Sequence, residues 1–81
     1  MTKLELFYFP QCPFCHRVLI VIDDLGIKNK IEFLNINENQ DAANRLRNDT
    51  GRTTVPCLYI DNSPMFESSD IVKLLTEKFS S

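Results

Sequence analysis

Tryptophan is absent from this 81-residue chain, and glycine occurs only at Gly26 and Gly51. There is no internal repeat, no linker and no low-complexity stretch. An excess of one charge is also missing. A net charge of −2 and a pI near 5.2 give no electrostatic footprint for nucleic acid or an anionic membrane. No apolar run approaches the roughly 20 residues that span a bilayer. The start, Met1-Thr2-Lys3-Leu4-Glu5, enters a strand-like pattern directly, without the apolar segment of a signal peptide. The expected location is therefore cytoplasmic, with neither nucleic acid nor membrane as a partner. Cysteine is scarce and odd in number: Cys12, Cys15 and Cys57. That count does not suit the disulfide framework of a small secreted domain.

What is present is an ordinary globular composition. Hydrophobic residues make up 43% of the chain, which argues against disorder. The length fits one domain, residues 1–81, with a limited core. Lys3 to Tyr8 alternates as a first strand, with Leu4, Leu6 and Tyr8 on one apolar face. Val18, Leu19, Ile20, Val21, Ile22 and Leu25 make the next segment a helix apolar around most of its circumference, stopped at Gly26. Ile31 to Ile36 predicts a second strand, too apolar for simple alternation and so covered on both faces. Asp41 predicts the cap of a second helix to about Asn48, with Ala42, Ala43 and Leu46 inward and Arg45 and Arg47 outward. Cys57 to Ile60 is a third strand, residues 61–64 a turn, and Met65-Phe66 a short fourth strand. Ser68 or Ser69 then caps a last helix with a stripe of Ile71, Leu74, Leu75 and Phe79. The order is strand, helix, strand, helix, strand, strand, helix. A right-handed first unit and a late hairpin give a mixed sheet with helices on its faces.

Cys12-Pro13-Phe14-Cys15 carries the chemistry. Two cysteines at this spacing close a small disulfide, share a metal ion, or are ordinary half-buried residues. Context favours redox work. Cys12 stands where a helix begins, and Pro13 suits the first turn. Free N–H groups and the positive end of the helix dipole favour a thiolate there. Cys15 lies one turn further in, is more buried, and acts second. A metal site needs more ligands than His16 and Cys57 offer at these spacings, so no metal is expected. Cys57 reads as a small core residue and His16 as a partly exposed helix residue.

Two other segments converge on the same chemistry. A proline at the start of a good strand, Val55-Pro56, is either an ordinary trans proline at a strand edge, the commoner case, or the site of a sharp turn with a cis bond. Such a turn leaves the Val55 N–H and C=O free to bind an extended peptide. Glu67-Ser68-Ser69-Asp70 offers helix N–H groups for a carboxylate and a side chain for an ammonium, the two charges of an α-amino acid end. Arg45, Arg47 or Arg52 would meet a second carboxylate at the far end of such a ligand.

Taken together, Cys12-Pro13-Phe14-Cys15-His16-Arg17, Gly51-Arg52-Thr53-Thr54-Val55-Pro56 and Glu67-Ser68-Ser69-Asp70-Ile71 resemble the glutaredoxins of the thioredoxin-fold superfamily, over almost the whole chain. The resemblance implies an α/β, thioredoxin-like fold: four mixed strands and three helices, with cis-Pro56 facing the thiols. It implies a monomer with glutathione as cofactor, and disulfide-containing or glutathionylated proteins as partners. By the resemblance Cys12 is the nucleophile and Cys15 resolves protein mixed disulfides. Phe14, Thr54, Val55 and Pro56 would border glutathione, with Val55 holding its cysteinyl part. Ser68 and Ser69, with Glu67 or Asp70, would hold the γ-glutamyl end. Phe14 replaces the tyrosine of most glutaredoxins, and Phe9 stands where many have lysine. Phe66-Glu67 replaces a Gly-Gly pair, and Glu67-Ser68 looks like the glutathione-binding domain of glutathione S-transferases. A glutathione-ligated iron–sulfur carrier and a non-catalytic glutathione-binding module are the alternative readings.

Overall fold

The structure, a computed structural model, describes residues 2–79. Met1, Ser80 and Ser81, included in the expected domain, lie outside the described residues. Strand β1 spans Leu4–Tyr8 and helix α1 spans Pro13–Leu25. Gly26 ends α1 at φ 66°, a left-handed conformation that costs a residue without Cβ nothing. A 3-10 turn, Lys28–Lys30, leads into β2, Ile31–Asn35. Helix α2 spans Gln40–Thr50. Strands β3, Cys57–Ile60, and β4, Ser63–Met65, form a hairpin, and helix α3 spans Ser68–Phe79. No helix among the described residues is long and apolar enough to cross a membrane.

The sheet order is β2-β1-β3-β4. Strands β1 and β2 are parallel, while β1 with β3 and β3 with β4 are antiparallel. Ile60 pairs with Ser63, so only Asp61 and Asn62 form the turn, both left-handed at φ 49° and 72°. Two such residues match the twist of the flanking strands. The turn is therefore tighter than the expected 61–64, and β4 begins earlier, leaving Phe66 beyond the ladder.

Alternation along the strands divides the core. Leu4, Leu6 and Leu58 face α1 and α3, where they pack with Val18, Ile22, Ile71 and Leu75. Phe7, Cys57 and Tyr59 face α2 and pack with Ala42 and Leu46. The expectation of one apolar face on β1 is thus corrected: both faces of this central strand are covered. Glu5 is only 2% exposed, on the α2 side.

Arg45 explains how a carboxylate is buried there. Its Nη1 and Nη2 donate to Glu5 Oε2 and Oε1 at 2.6 and 3.0 Å. The guanidinium lies 4.6 Å from the Tyr59 ring centroid, and Tyr59 donates its hydroxyl to Asp49 at 2.9 Å. Arg45 is therefore directed inward, contrary to the outward face read from the sequence. The Arg45 hydrogen bonds hold the Glu5 carboxyl below its ordinary value, and burial opposes them.

Three further expectations change. Asn39, not Asp41, caps α2, accepting from the Ala42 N–H at 3.0 Å, and the helix runs on to Thr50. Strand β2 is an edge strand with Glu32 exposed and Phe33 and Leu34 half-buried, not one covered on both faces. Helix α1 is less enclosed than its composition suggests, since Ile20 faces solvent.

Removing Arg45 strands a buried carboxylate. Arg45→Leu should lower stability by on the order of 2–3 kcal/mol near neutral pH, read from urea midpoints. Glu5 has a lowered folded pKa, so its contribution is complete above the unfolded carboxylate range, near 4.5. It is lost as pH falls through the lower, folded value. An Arg45→Leu protein as stable as the parent at pH 7 would contradict this assignment.

Candidate functional site

Cys12 is the N-cap residue of α1, in an extended conformation at φ −80° and ψ 119°. Its N–H donates to Phe9 O at 3.2 Å, and its carbonyl accepts from His16 N–H at 3.1 Å. The side chain is 6% exposed and directs Sγ at Val55 O, 3.9 Å away, a weak S–H contact. Cys15, one turn inward, is fully buried. Burial pushes its thiol up to about 12, and the neighbouring Cys12 sulfur adds to the rise. All three cysteines are free thiols. Cys57 lies in the core under α2, as expected of a packing residue, and burial pushes its thiol up to about 11.

The Val55–Pro56 peptide is cis. Among the described residues the Val55 N–H has no backbone partner. Phe14, Thr54, Val55, Pro56, Glu67 and Ser68 line one groove of about 210 Å³. Residues from three separated segments thus meet beside Cys12, which joins them through the Val55 carbonyl. Cys15 lies behind, and Ser69 is exposed and outside the groove wall. A larger recess, about 500 Å³, opens at Tyr8, Phe33 and the start of α2 and contains no cysteine.

Helix α3 enters the groove differently from expectation. Neither Ser68 nor Ser69 caps it: Ile71 N–H donates to Glu67 O at 3.0 Å, which makes Glu67 the residue before the first turn. Glu67 takes φ 71°, and Ser68 follows as a buried first-turn residue. The first N–H groups of α3 have no partner within the helix, and Asp70 lies in the same turn.

The arginines separate. Arg45 is committed to Glu5 and is withdrawn from this site. Arg47 is exposed on the last turn of α2. Arg52 stacks 4.0 Å from the ring centroid of Phe66, next to Glu67. That stack, and a contact between His16 Nε2 and Pro10 O, carry no signal in the residue pattern. Among the described residues no group of three or more His, Cys, Asp or Glu side chains is placed to hold a metal ion.

Known proteins share this fold. The family model for the glutathione S-transferase N-terminal domain matches residues 6–81. The chain is similar to glutaredoxin-1 of Homo sapiens, 35% identical over 79 residues covering 89% of this chain and 72% of that protein. It is similar to glutaredoxin 3 of Escherichia coli K12, 28% identical over 74 residues covering 91% of this chain and 87% of that one. A solved glutathione transferase homologue from Drosophila mojavensis, with bound glutathione, superposes at a TM-score of 0.76 and 18% identity. That match covers 100% of this chain and 37% of the transferase, so this chain spans little more than a third of it. The architecture is a thioredoxin-like fold. The chain belongs to the glutaredoxin family and is, in broad class, an oxidoreductase.

The three thiols differ enough in environment to be told apart chemically. At pH 8 a thiol titrating near 12 is ionised to roughly one part in ten thousand. Iodoacetamide on the reduced, folded protein should therefore modify Cys12 and leave Cys15 and Cys57 intact, read by peptide mass spectrometry. Labelling of Cys15 at the rate of Cys12 would refute the assignment.

Proposed function

We propose that this chain is a glutathione-dependent thiol–disulfide oxidoreductase that reduces protein disulfides and glutathione mixed disulfides. The observation that carries the reading is the groove of Phe14, Thr54, Val55, Pro56, Glu67 and Ser68 beside Cys12. Glutathione carries an α-amino acid end, a peptide middle and a far carboxylate. The Val55 N–H and C=O suit the middle, as an added strand would. The α3 N-terminus suits the γ-glutamyl carboxylate, with Ser68 and Ser69 there and Glu67 or Asp70 for the ammonium.

In this reading the Cys12 thiolate attacks the glutathionyl sulfur of a protein mixed disulfide. The S–S bond breaks, the protein thiolate leaves and takes a proton, and Cys12 holds glutathione in a new disulfide. A second glutathione thiolate attacks the bound glutathione sulfur, releasing glutathione disulfide and the Cys12 thiolate.

With a protein disulfide, Cys12 first forms a mixed disulfide with the protein. The Cys15 thiolate then attacks Cys12 Sγ, the reduced protein leaves and accepts the Cys15 proton, and a Cys12–Cys15 disulfide remains. Two glutathiones reduce that disulfide. The raised Cys15 pKa supports this order. Burial keeps Cys15 protonated in the resting state, and the charge on Cys12 adds to that. Once Cys12 is in a disulfide its charge is gone, and deprotonating Cys15 becomes easier.

Glutathione-coupled reduction of a glutathionylated peptide and of a protein disulfide separates the roles. Cys12→Ser should abolish both. Cys15→Ser should keep the first and lose the second by at least about tenfold. Normal turnover by Cys12→Ser would end the proposal.

A further inference from the structure

We infer that His16 is a positioning residue for Cys12. The inference rests on Cys12 being the attacking thiol. His16 lies on the exposed side of the first turns of α1, directly after Cys15. Its Nε2 meets the carbonyl oxygen of Pro10 in the loop between β1 and α1. Pro10 and Gln11 are exposed and belong to neither element. Elsewhere the loop meets the helix through Cys12 N–H to Phe9 O, His16 N–H to Cys12 O and the Phe9 backbone at the Cys15 sulfur, none of which holds Pro10.

A carbonyl oxygen accepts and cannot donate, so Nε2 must carry the proton. That fixes the tautomer: the neutral ring holds its hydrogen on Nε2 and leaves Nδ1 to solvent. One residue then binds the Cys12 carbonyl through its backbone N–H and the Pro10 carbonyl through its ring. The two bonds grip the chain on either side of Gln11 and fix the entry into Cys12. The consequence for chemistry is orientation. Cys12 Sγ reaches Val55 O only at 3.9 Å, too weak a contact to hold the sulfur against the groove by itself. The loop clasp supplies the missing constraint.

The test uses the full chain with the Cys15→Ser background as parent, and reads alkylation of Cys12 together with the kinetics of glutathionylated peptide reduction. His16→Leu should slow Cys12 alkylation by roughly fivefold, the scale of one lost hydrogen bond, and lower kcat with KM for glutathione little changed. His16→Gln, whose amide N–H reaches a similar position, should restore most of the rate. Nitrogen NMR of the parent should show the Nε2–H form of neutral His16. The unfolding midpoint of His16→Gln should match that of the parent, and that of His16→Leu should fall by no more than the one lost hydrogen bond explains.

Unchanged alkylation in His16→Leu, equal losses in Leu and Gln, or an Nδ1–H tautomer would each overturn the inference. Failure of the functional proposal looks different. There Cys12→Ser retains turnover, whereas alkylation reports on Cys12 whatever reaction the chain performs.

Discussion

A carboxylate buried in the central strand sets the constraint on one whole side of this molecule. Glu5 faces α2 from β1, opposite Tyr59 on β3 and Glu32 on β2. Taken out of water alone, it would cost far more than α2 could return. Helix α2 offers little apolar area, since two of its three buried residues are Ala42 and Ala43. Its placement depends on Arg45 reaching Glu5 with both terminal nitrogens while its plane lies against Tyr59. Asp49 closes the set, accepting from the Tyr59 hydroxyl and lying 3.8 Å from Arg45 Nε. A bidentate pair is geometrically selective, so it fixes the rotation and height of α2 on the sheet as an apolar patch would not. Val55 follows Gly51, the residue that closes α2, by four positions. The groove wall is therefore held from the far side by an ion pair that touches no part of it.

The opposite side is held by apolar packing and carries Cys12 and Cys15. Cys12 and Cys15 share a residue type and a helix but not an environment. A step of three residues turns about 300° and rises about 4.5 Å, moving from the rim of α1 to its buried stripe. Cys12 keeps an opening toward Val55, while Cys15 joins the layer with Val18 and Ile22. In the proposed reading, the division of labour between attacking and resolving thiols rests on that step. Pro13 between them opens the helix without requiring a hydrogen bond from its own nitrogen.

Much of this was legible in the sequence. The element order and the inward apolar residues of α2 and α3 follow from periodicity, while the meeting of three distant segments at one groove is what the family resemblance implies. What escaped depended on a partner distant in sequence. Glu5 in an alternating strand reads as a solvent-facing residue, and Arg45 on a polar helix reads the same way. Only their pairing across 40 positions turns both inward. Glu67 was hidden for another reason. A serine pair before an apolar stripe is a normal capping signal, but the chain turns at the left-handed Glu67, and the helix begins at Ser68 itself. His16 and Arg52 escaped because a carbonyl and a ring, not a patterned side chain, receive them.

The conformation of Glu67 brings these threads together. A non-glycine residue at φ 71° carries a steric cost of about 1–2 kcal/mol that glycine would avoid. Glycine there would keep the turn and remove the carboxylate from the groove. Glutamate keeps the turn and places an anionic side chain in the wall, directly before helix N–H groups that favour negative charge. Donors and a carboxylate so close together do not suit a simple anion, which Glu67 would repel. They suit a group bearing both charges, and an α-amino acid end does so on a single carbon. In the proposed reading the cost at Glu67 is therefore tied to ligand choice: the left-handed residue makes the anion site at α3 selective for a zwitterion.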